Sequence, residues 1–151
     1  FIALDTSYIP QNYNATLQGL TLTGSQAWNN YRLKANADIQ SPRNTDSNKM
    51  LNRRANRHAS LDLSRTWGDW LFNAELIASS ARFNDADNTQ KMAGYALVNF
   101  VANYKINHDW SLQGRVNNLF DKEYRLALDG TIPYNNPGAN VFFSLRYTPN
   151  F

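Results

Sequence analysis

The chain has 151 residues, enough for one domain, with no cysteine and a net charge of +3 spread along its length. That combination excludes a disulfide framework and a thiolate metal site, and leaves no basic tail or helix to bind nucleic acid. No run approaches the roughly 20 apolar residues of a membrane-spanning helix, but a membrane barrel hides its apolar surface by alternation and is untouched by that test.

The chain opens without Met inside a strand-like run, Phe1-Ile2-Ala3-Leu4, so a mature or truncated product is expected. Phe1–Tyr8 is a weak strand that Ile9-Pro10-Gln11-Asn12 breaks. Tyr13–Ala27 changes parity, with Ala15 and Leu17 odd but Leu20 and Leu22 even, and Gly19 at the switch predicts a bulge. Asn29-Asn30 predicts a tight turn. Tyr31–Gln40 then alternates without error, with Tyr31, Leu33, Ala35, Ala37 and Ile39 against Arg32, Lys34, Asn36, Asp38 and Gln40. A helix would scatter those apolar groups all round, so the period dictates a strand. Residues 41–50 read as a polar loop containing Pro42, and Leu51–Trp67 as the next strand.

Gly68-Asp69 is a two-residue hairpin signal. Trp70, Phe72, Ala74, Leu76 and Ala78 line one face of the following strand, Asn73 and Glu75 the other, with Ile77 an exception. Residues 84–94 form a polar loop. Tyr95–Ile106 alternates again, Asn107-His108-Asp109 turns the chain, and Trp110–Asn117 carries Trp110, Leu112, Gly114 and Val116 on one face. The last long loop is 125–138. Val141, Phe143, Leu145, Tyr147 and Phe151 then share parity against Ser144, Arg146, Thr148 and Asn150.

The reading is all-β and antiparallel, with seven good strands, a partial one at the start and no helix. Short connections at 29–30, 68–69 and 107–109 alternate with long ones at 41–50, 84–94 and 125–138. Short turns on one side and long loops on the other mark an outer-membrane barrel. A soluble antiparallel sandwich would share the alternation. The tryptophans separate the two. Trp28, Trp67, Trp70 and Trp110 all flank short turns, with Tyr31, Tyr104 and Tyr147 at the same level. A soluble core buries Trp in mid-strand, whereas a membrane barrel sets it at the water–lipid boundary. Leu33, Ala37, Phe72, Leu76, Val98 and Val116 are therefore expected to face lipid, and Lys34, Asp62, Glu75 and Arg115 the lumen.

Asn118-Leu119-Phe120-Asp121-Lys122-Glu123-Tyr124 resembles the NLFDKxY signature near the C-terminus of TonB-dependent outer-membrane receptors, and the residues around it resemble the vitamin B12 (cobalamin) receptors of that family. The run 15–21 also resembles an AxxxGxE strand of the family, with Thr21 in place of the usual Glu. The resemblance runs from about Tyr13 to Phe151. It implies the last strands, about eight, of a 22-stranded transmembrane barrel, as a single barrel segment over 1–151 without the N-terminal plug and TonB box. A closed eight-stranded barrel is the structural alternative.

The function that the resemblance implies is import of cobalamin across the Gram-negative outer membrane. A ferric siderophore is the second choice, and a small structural or adhesive barrel is the reading from another class. The implied partners are the lipid bilayer, the ligand, TonB only through missing N-terminal parts, and the barrel-insertion machinery. Tyr147 and Phe151 resemble the C-terminal signal that this machinery reads. A cobalamin site needs aromatic surface and hydrogen-bonding groups at the outer mouth, which nominates Arg43, Asn44, Asn84, Asp85, Arg125, Asp129 and Tyr134. In the signature itself, Asp121-Lys122-Glu123 is expected to neutralise charge in a strand rising above the membrane, with Tyr124 available as an anchor.

Catalytic chemistry finds no support. His58 and Asp62 lie i, i+4 on one strand, roughly 13 Å apart by strand rise and too far for a dyad. His108 sits in a turn. Asp85 and Asp87 fall short of a calcium loop, and no nucleophile, phosphate-loop or metal motif is present. No cofactor, metal or enzyme activity is expected.

Overall fold

In the computed structural model the described residues are 2–4, 10–12 and 14–149. They form thirteen strands: β1 (Ile2–Leu4), β2 (Pro10–Asn12), β3 (Ala15–Trp28), β4 (Tyr31–Asn44), β5 (Arg57–Trp67), β6 (Trp70–Ser79), β7 (Arg82–Phe83), β8 (Lys91–Met92), β9 (Tyr95–Lys105), β10 (Trp110–Asn117), β11 (Leu128–Asp129), β12 (Ile132–Pro133) and β13 (Asn140–Tyr147). Seven of them make one antiparallel sheet in the order β13-β10-β9-β6-β5-β4-β3, and the remainder pair as β1-β2, β7-β8 and β11-β12. Long strands in sequence order with tight turns at one end are a meander, as the alternating patterns predict. Phe151, Phe1, Tyr8 and Tyr13 lie outside the described residues.

The sheet is open. β3 and β13 are its edges and are not paired with each other, so the closed eight-stranded alternative is not what forms. Seven strands cannot meet edge to edge without the large stagger that closure demands.

Three strand expectations need correction. No bulge occurs at Gly19: β3 and β4 pair one to one from Ala15–Asn44 to Trp28–Tyr31. The glycine answers a close approach instead, since a Cβ there would meet the Ile39 carbonyl oxygen at 2.6 Å. Ala15 and Leu17 keep the odd parity of the polar side and stay exposed. Leu17 lies across from buried Pro42, on the polar side of the sheet at its loop end. β4 runs on through Pro42 to Asn44, beyond the predicted end at Gln40. The Pro42 carbonyl accepts from the Leu51 N–H at 2.9 Å, so its ring nitrogen faces the same way, where β5 no longer pairs. No ladder bond is lost. β5 for its part starts at Arg57 rather than Leu51, because 51–56 folds into the loop that covers Pro42.

The two faces separate cleanly. Register places Gly24, Ala35, Leu61, Leu76 and Val98 in one cross-strand row, and Leu22, Ala37, Ala59, Ala78 and Ala96 in the next. Leu33, Phe72 and Val116 share that face. Ser25, Lys34, Asp62, Glu75 and Asn99 make a row on the other, with Arg115 on the same side. The expected lipid and lumen sets therefore segregate. Ile77, the exception, pairs with Leu97 on the polar side. Among the described apolar residues only Pro42, Leu51, Met92 and Val101 are buried, whereas Leu22, Leu145 and Phe143 stand 56%, 60% and 78% exposed. A soluble sandwich would cover that face with a second layer, and none is present among the described residues.

The aromatic rings gather at the turn end. Trp28 stacks on Tyr31 (5.7 Å between centroids), Trp70 meets Tyr104 (4.6 Å) and Trp110 stacks on Tyr147 (4.6 Å). Each pair closes or neighbours a short turn.

Candidate functional site

At the opposite end of the sheet the chain leaves each strand pair through a long loop. The signature segment begins where β10 stops, and it is a turn rather than a rising strand. Asn118 is buried with φ 49°. Asn tolerates that left-handed backbone because its short side chain bonds locally. Asn118 Oδ1 accepts from the Lys122 N–H (2.8 Å) and its Nδ2 donates to the Lys122 carbonyl (3.0 Å). The Asn118 N–H donates to Asn99 Oδ1 (2.9 Å), and the Leu119 N–H to the Val98 carbonyl (2.8 Å). Asn118 thus fastens the turn to β9.

Asp121, also at positive φ, accepts the Ala139 N–H at 2.7 Å. That brings the loop's far end back to its start beside Gly138, where a Cβ would sit 2.6 Å from the same carboxylate oxygen. Asp121-Lys122-Glu123 is therefore part of a turn and not of the expected rising strand. Asp121 and Lys122 serve through backbone bonds, and Leu119 and Phe120 are exposed. The Tyr124 ring lies 4.8 Å from that of Tyr95, which also carries the Arg82 guanidinium at 5.2 Å.

The three long loops are laced together by polar side chains. Asn84 is buried. Its Oδ1 accepts from Arg53 Nε (3.1 Å) and the Leu128 N–H (3.0 Å), and its Nδ2 donates to Gln90 Oε1 (2.9 Å). One side chain so joins loops 45–56, 84–94 and 118–139. Arg53 adds a bond to the Leu128 carbonyl (3.2 Å). Asn88 pairs with the Met50 backbone through both ends of its amide, at 2.8 and 2.9 Å. Lys49 and Asp87 make an exposed ion pair at 2.7 Å. A loop end with little apolar burial is held by satisfying its backbone groups, which otherwise stay with water.

Asp85 binds inside its own loop, accepting from the Thr89 N–H (3.0 Å), the Thr89 hydroxyl (2.8 Å) and the Gln90 N–H (2.7 Å). Partial burial pushes its carboxyl pKa up, but those donors outweigh burial and hold it below the ordinary value. Arg43 donates to the Asn48 carbonyl (2.8 Å) and to Ser41 Oγ (3.3 Å), and Asn44 Oδ1 accepts from the Asp46 and Ser47 N–H groups. Among the candidates, Asn44, Asn84 and Asp85 thus hold loop structure, while Asp129 lies in the small β11-β12 hairpin. Arg125 and Tyr134 come together. They line a cavity of about 630 Å³ with Tyr124, Lys91, Lys122 and Glu123. Sequence reasoning missed Lys91 there, and missed Arg53 and Asn88 as tie residues. The only sequence signal for the ties was a high density of Asn in the loops.

The polar face of the sheet holds a second concavity, about 820 Å³, reached by Arg32, Lys34, Asp62 and Arg115 near the turn end. Asn99 Nδ2 donates to Glu75 Oε2 (2.8 Å) and Thr21 Oγ1 to Asp38 Oδ1 (2.7 Å), so this face is a wet hydrogen-bonded wall. His58 and Asp62 lie on different cross-strand rows of it. No cluster of metal-ligating side chains exists among the described residues.

Known proteins resemble this arrangement. Residues 1–119 match the family described as TonB dependent receptor-like, beta-barrel. The chain is 31% identical over 118 residues to the vitamin B12 transporter BtuB of Photobacterium profundum, covering 78% of this chain and 20% of that protein. It is 28% identical over 143 residues to the vitamin B12 transporter BtuB of Vibrio vulnificus, covering 93% of this chain and 23% of that one. The crystal structure of the siderophore receptor PiuA from Acinetobacter baumannii superposes with a TM-score of 0.79 at 16% identity, over 97% of this chain and 24% of that one, which speaks for the fold alone. The chain spans about a fifth to a quarter of the length of these proteins.

Proposed function

The chain belongs to the family of TonB-dependent receptor β-barrels, and from that premise we propose that it forms part of the wall and outer loops of a receptor importing cobalamin. Receptors of this family are outer-membrane barrels of Gram-negative bacteria and are not enzymes. Membership sets aside the small structural or adhesive barrel. The rest of such a receptor would supply the plug, the TonB contact and the remaining wall. The observation that carries the ligand is the 31% identity to a vitamin B12 transporter over most of this chain. The mouth cavity is consistent with it: Tyr124 and Tyr134 offer flat apolar surface, and Arg125 offers donors for amide carbonyls.

A second reading has its own support. Lys91, Lys122 and Arg125 around the same cavity outnumber Asp121 and Glu123, which favours an anionic ligand such as a ferric siderophore. Titration of the full-length receptor with cyanocobalamin and with a ferric siderophore separates the two. Cobalamin binding that weakens in the Arg125→Ala/Tyr134→Ala double variant, at unchanged barrel content, supports the first reading. Tight siderophore binding without cobalamin binding removes it and leaves the transporter class.

A further inference from the structure

Behind the mouth cavity one charge is left unmatched. Arg82 sits in β7, across from Met92 in β8. Its Nε and Nη2 atoms are enclosed and meet no hydrogen-bond acceptor. It makes no ion pair among the described residues. Enclosing guanidinium donors without acceptors is costly, and an arginine that serves structure alone is ordinarily met by a carboxylate or a carbonyl. The attraction left to Arg82 is the face of a ring: its guanidinium lies 5.2 Å over Tyr95.

That ring is the middle member of a column. The Tyr95 and Tyr124 planes are tilted by 43° with their centroids 4.8 Å apart. Tyr124 also belongs to the lining of the mouth cavity, whereas Arg82 stands outside that lining. The backbone of the column is held at each member. The Tyr124 carbonyl accepts from Asn136 Nδ2 at 3.0 Å, and the Phe83 carbonyl, next to Arg82, accepts the Arg53 N–H at 2.6 Å. Tyr95 is fixed at the start of β9, opposite Ser79. With the backbones held, the pitch of the Tyr124 ring depends on Tyr95, and that of Tyr95 on the cation over it. Ring quadrupoles set the first contact and cation–π attraction the second.

We propose that Arg82 is a positioning residue of the mouth: by holding the Tyr95 ring it sets the Tyr124 ring, against which a flat unsaturated part of the imported ligand packs. Arg82 does not touch the ligand and acts through the two rings. The inference rests on the reading of this cavity as the ligand mouth, and it takes no side between cobalamin and a siderophore.

The test puts fluorotyrosine in place of Tyr124 in the full-length receptor and reads its fluorine resonance, first without ligand. Arg82→Gln should move that resonance. Arg82→Lys, which keeps the charge without the planar guanidinium, should move it less. Tyr95→Leu removes the middle ring, leaves Arg82 in place, and should move it as well. Lys49→Gln removes a loop cation outside the column and should leave it where it is. Folded gel mobility checks that each variant keeps its barrel. The receptors are then titrated with cyanocobalamin and with a ferric catecholate siderophore. Arg82→Gln should weaken whichever ligand the wild type binds about fivefold, the scale of one ring contact. In a Tyr124→Ala background the same change should cost nothing more, because the ring through which Arg82 acts is gone. A resonance unmoved by Arg82→Gln or by Tyr95→Leu overturns the proposal. So does a loss of affinity that persists undiminished in the Tyr124→Ala background. A wild type that binds neither ligand removes the ligand reading, and the resonance alone then decides the role of Arg82.

Discussion

The two ends of the sheet are built on different physics. At the turn end the connections are minimal, and aromatic pairs such as Trp70–Tyr104 and Trp110–Tyr147 stand on the lipid-facing side. At the loop end, apolar burial is confined to a few residues, Leu51 and Met92 among them. Order there comes from Asn84, Asn88 and Asp121, which bond to backbone groups of other segments, and from Asn118, which closes its own turn on Lys122. The same chain therefore uses ring packing where it meets lipid and directional hydrogen bonds where it meets water. Rings give a belt its depth and tolerate sliding; hydrogen bonds fix loops in one arrangement. A receptor needs the first at a fixed membrane boundary and the second around a ligand mouth.

The most severe break in that contrast comes from placing charge on the lipid side. Leu76→Arg should cost about 2–4 kcal/mol at mid-membrane depth, whereas Ser60→Arg on the polar face should change stability by less than about 0.5 kcal/mol. Urea unfolding of the full-length protein in lipid vesicles measures both. Similar losses at the two positions would undo the assignment of faces.

Next in size is the loop knot. Asn84→Ala removes the acceptor of Arg53 Nε and of the Leu128 N–H, a loss of about 1–3 kcal/mol confined to the loops. Proteolysis should then cut loops 45–56, 84–94 and 118–139 together, with barrel mobility on gels unchanged. Cleavage confined to one loop would mean that the three do not act as a unit.

Trp70→Ala sharpens the other end. Loss of its ring contacts with Tyr104 and Phe72 should cost about 0.5–1.5 kcal/mol beyond lost area, and only in a bilayer. Equal loss in detergent and bilayer would show that the belt is not reading the membrane boundary.

The smallest effect is a pH dependence at Asp85. Its folded pKa is depressed, so the loop stabilisation is present above the unfolded value and disappears as pH falls through the folded one. Hydrogen exchange of the Thr89 and Gln90 amides should therefore quicken, relative to neighbouring amides, as pH drops below the ordinary carboxylate range. Asp85→Asn should remove that dependence, and a variant that keeps it would place the titrating group elsewhere.

Period-2 patterning determined the strands, the tight turns at Asn29-Asn30 and Gly68-Asp69, and which residues share a face. In a strand, side-chain direction is fixed by position alone, and the hairpin register follows from the turn. The aromatic level was legible for the same reason. Where the strand reading failed, at Pro42 and residues 51–56, the deciding contacts came from a loop folding back on the strand end, and those are set by segments beyond the strand's own pattern. The signature Asn118–Tyr124 identified the family from its wording, but nothing in that wording says that Asn118 bonds to Lys122, or that Asp121 reaches Ala139. Nor could sequence tell which loop residues become ties and which line the mouth. Asn84 and Arg125 are both polar loop residues, and only the tertiary structure separates the one buried among three loops from the one facing the cavity, because burial depends on what the other loops bring to it.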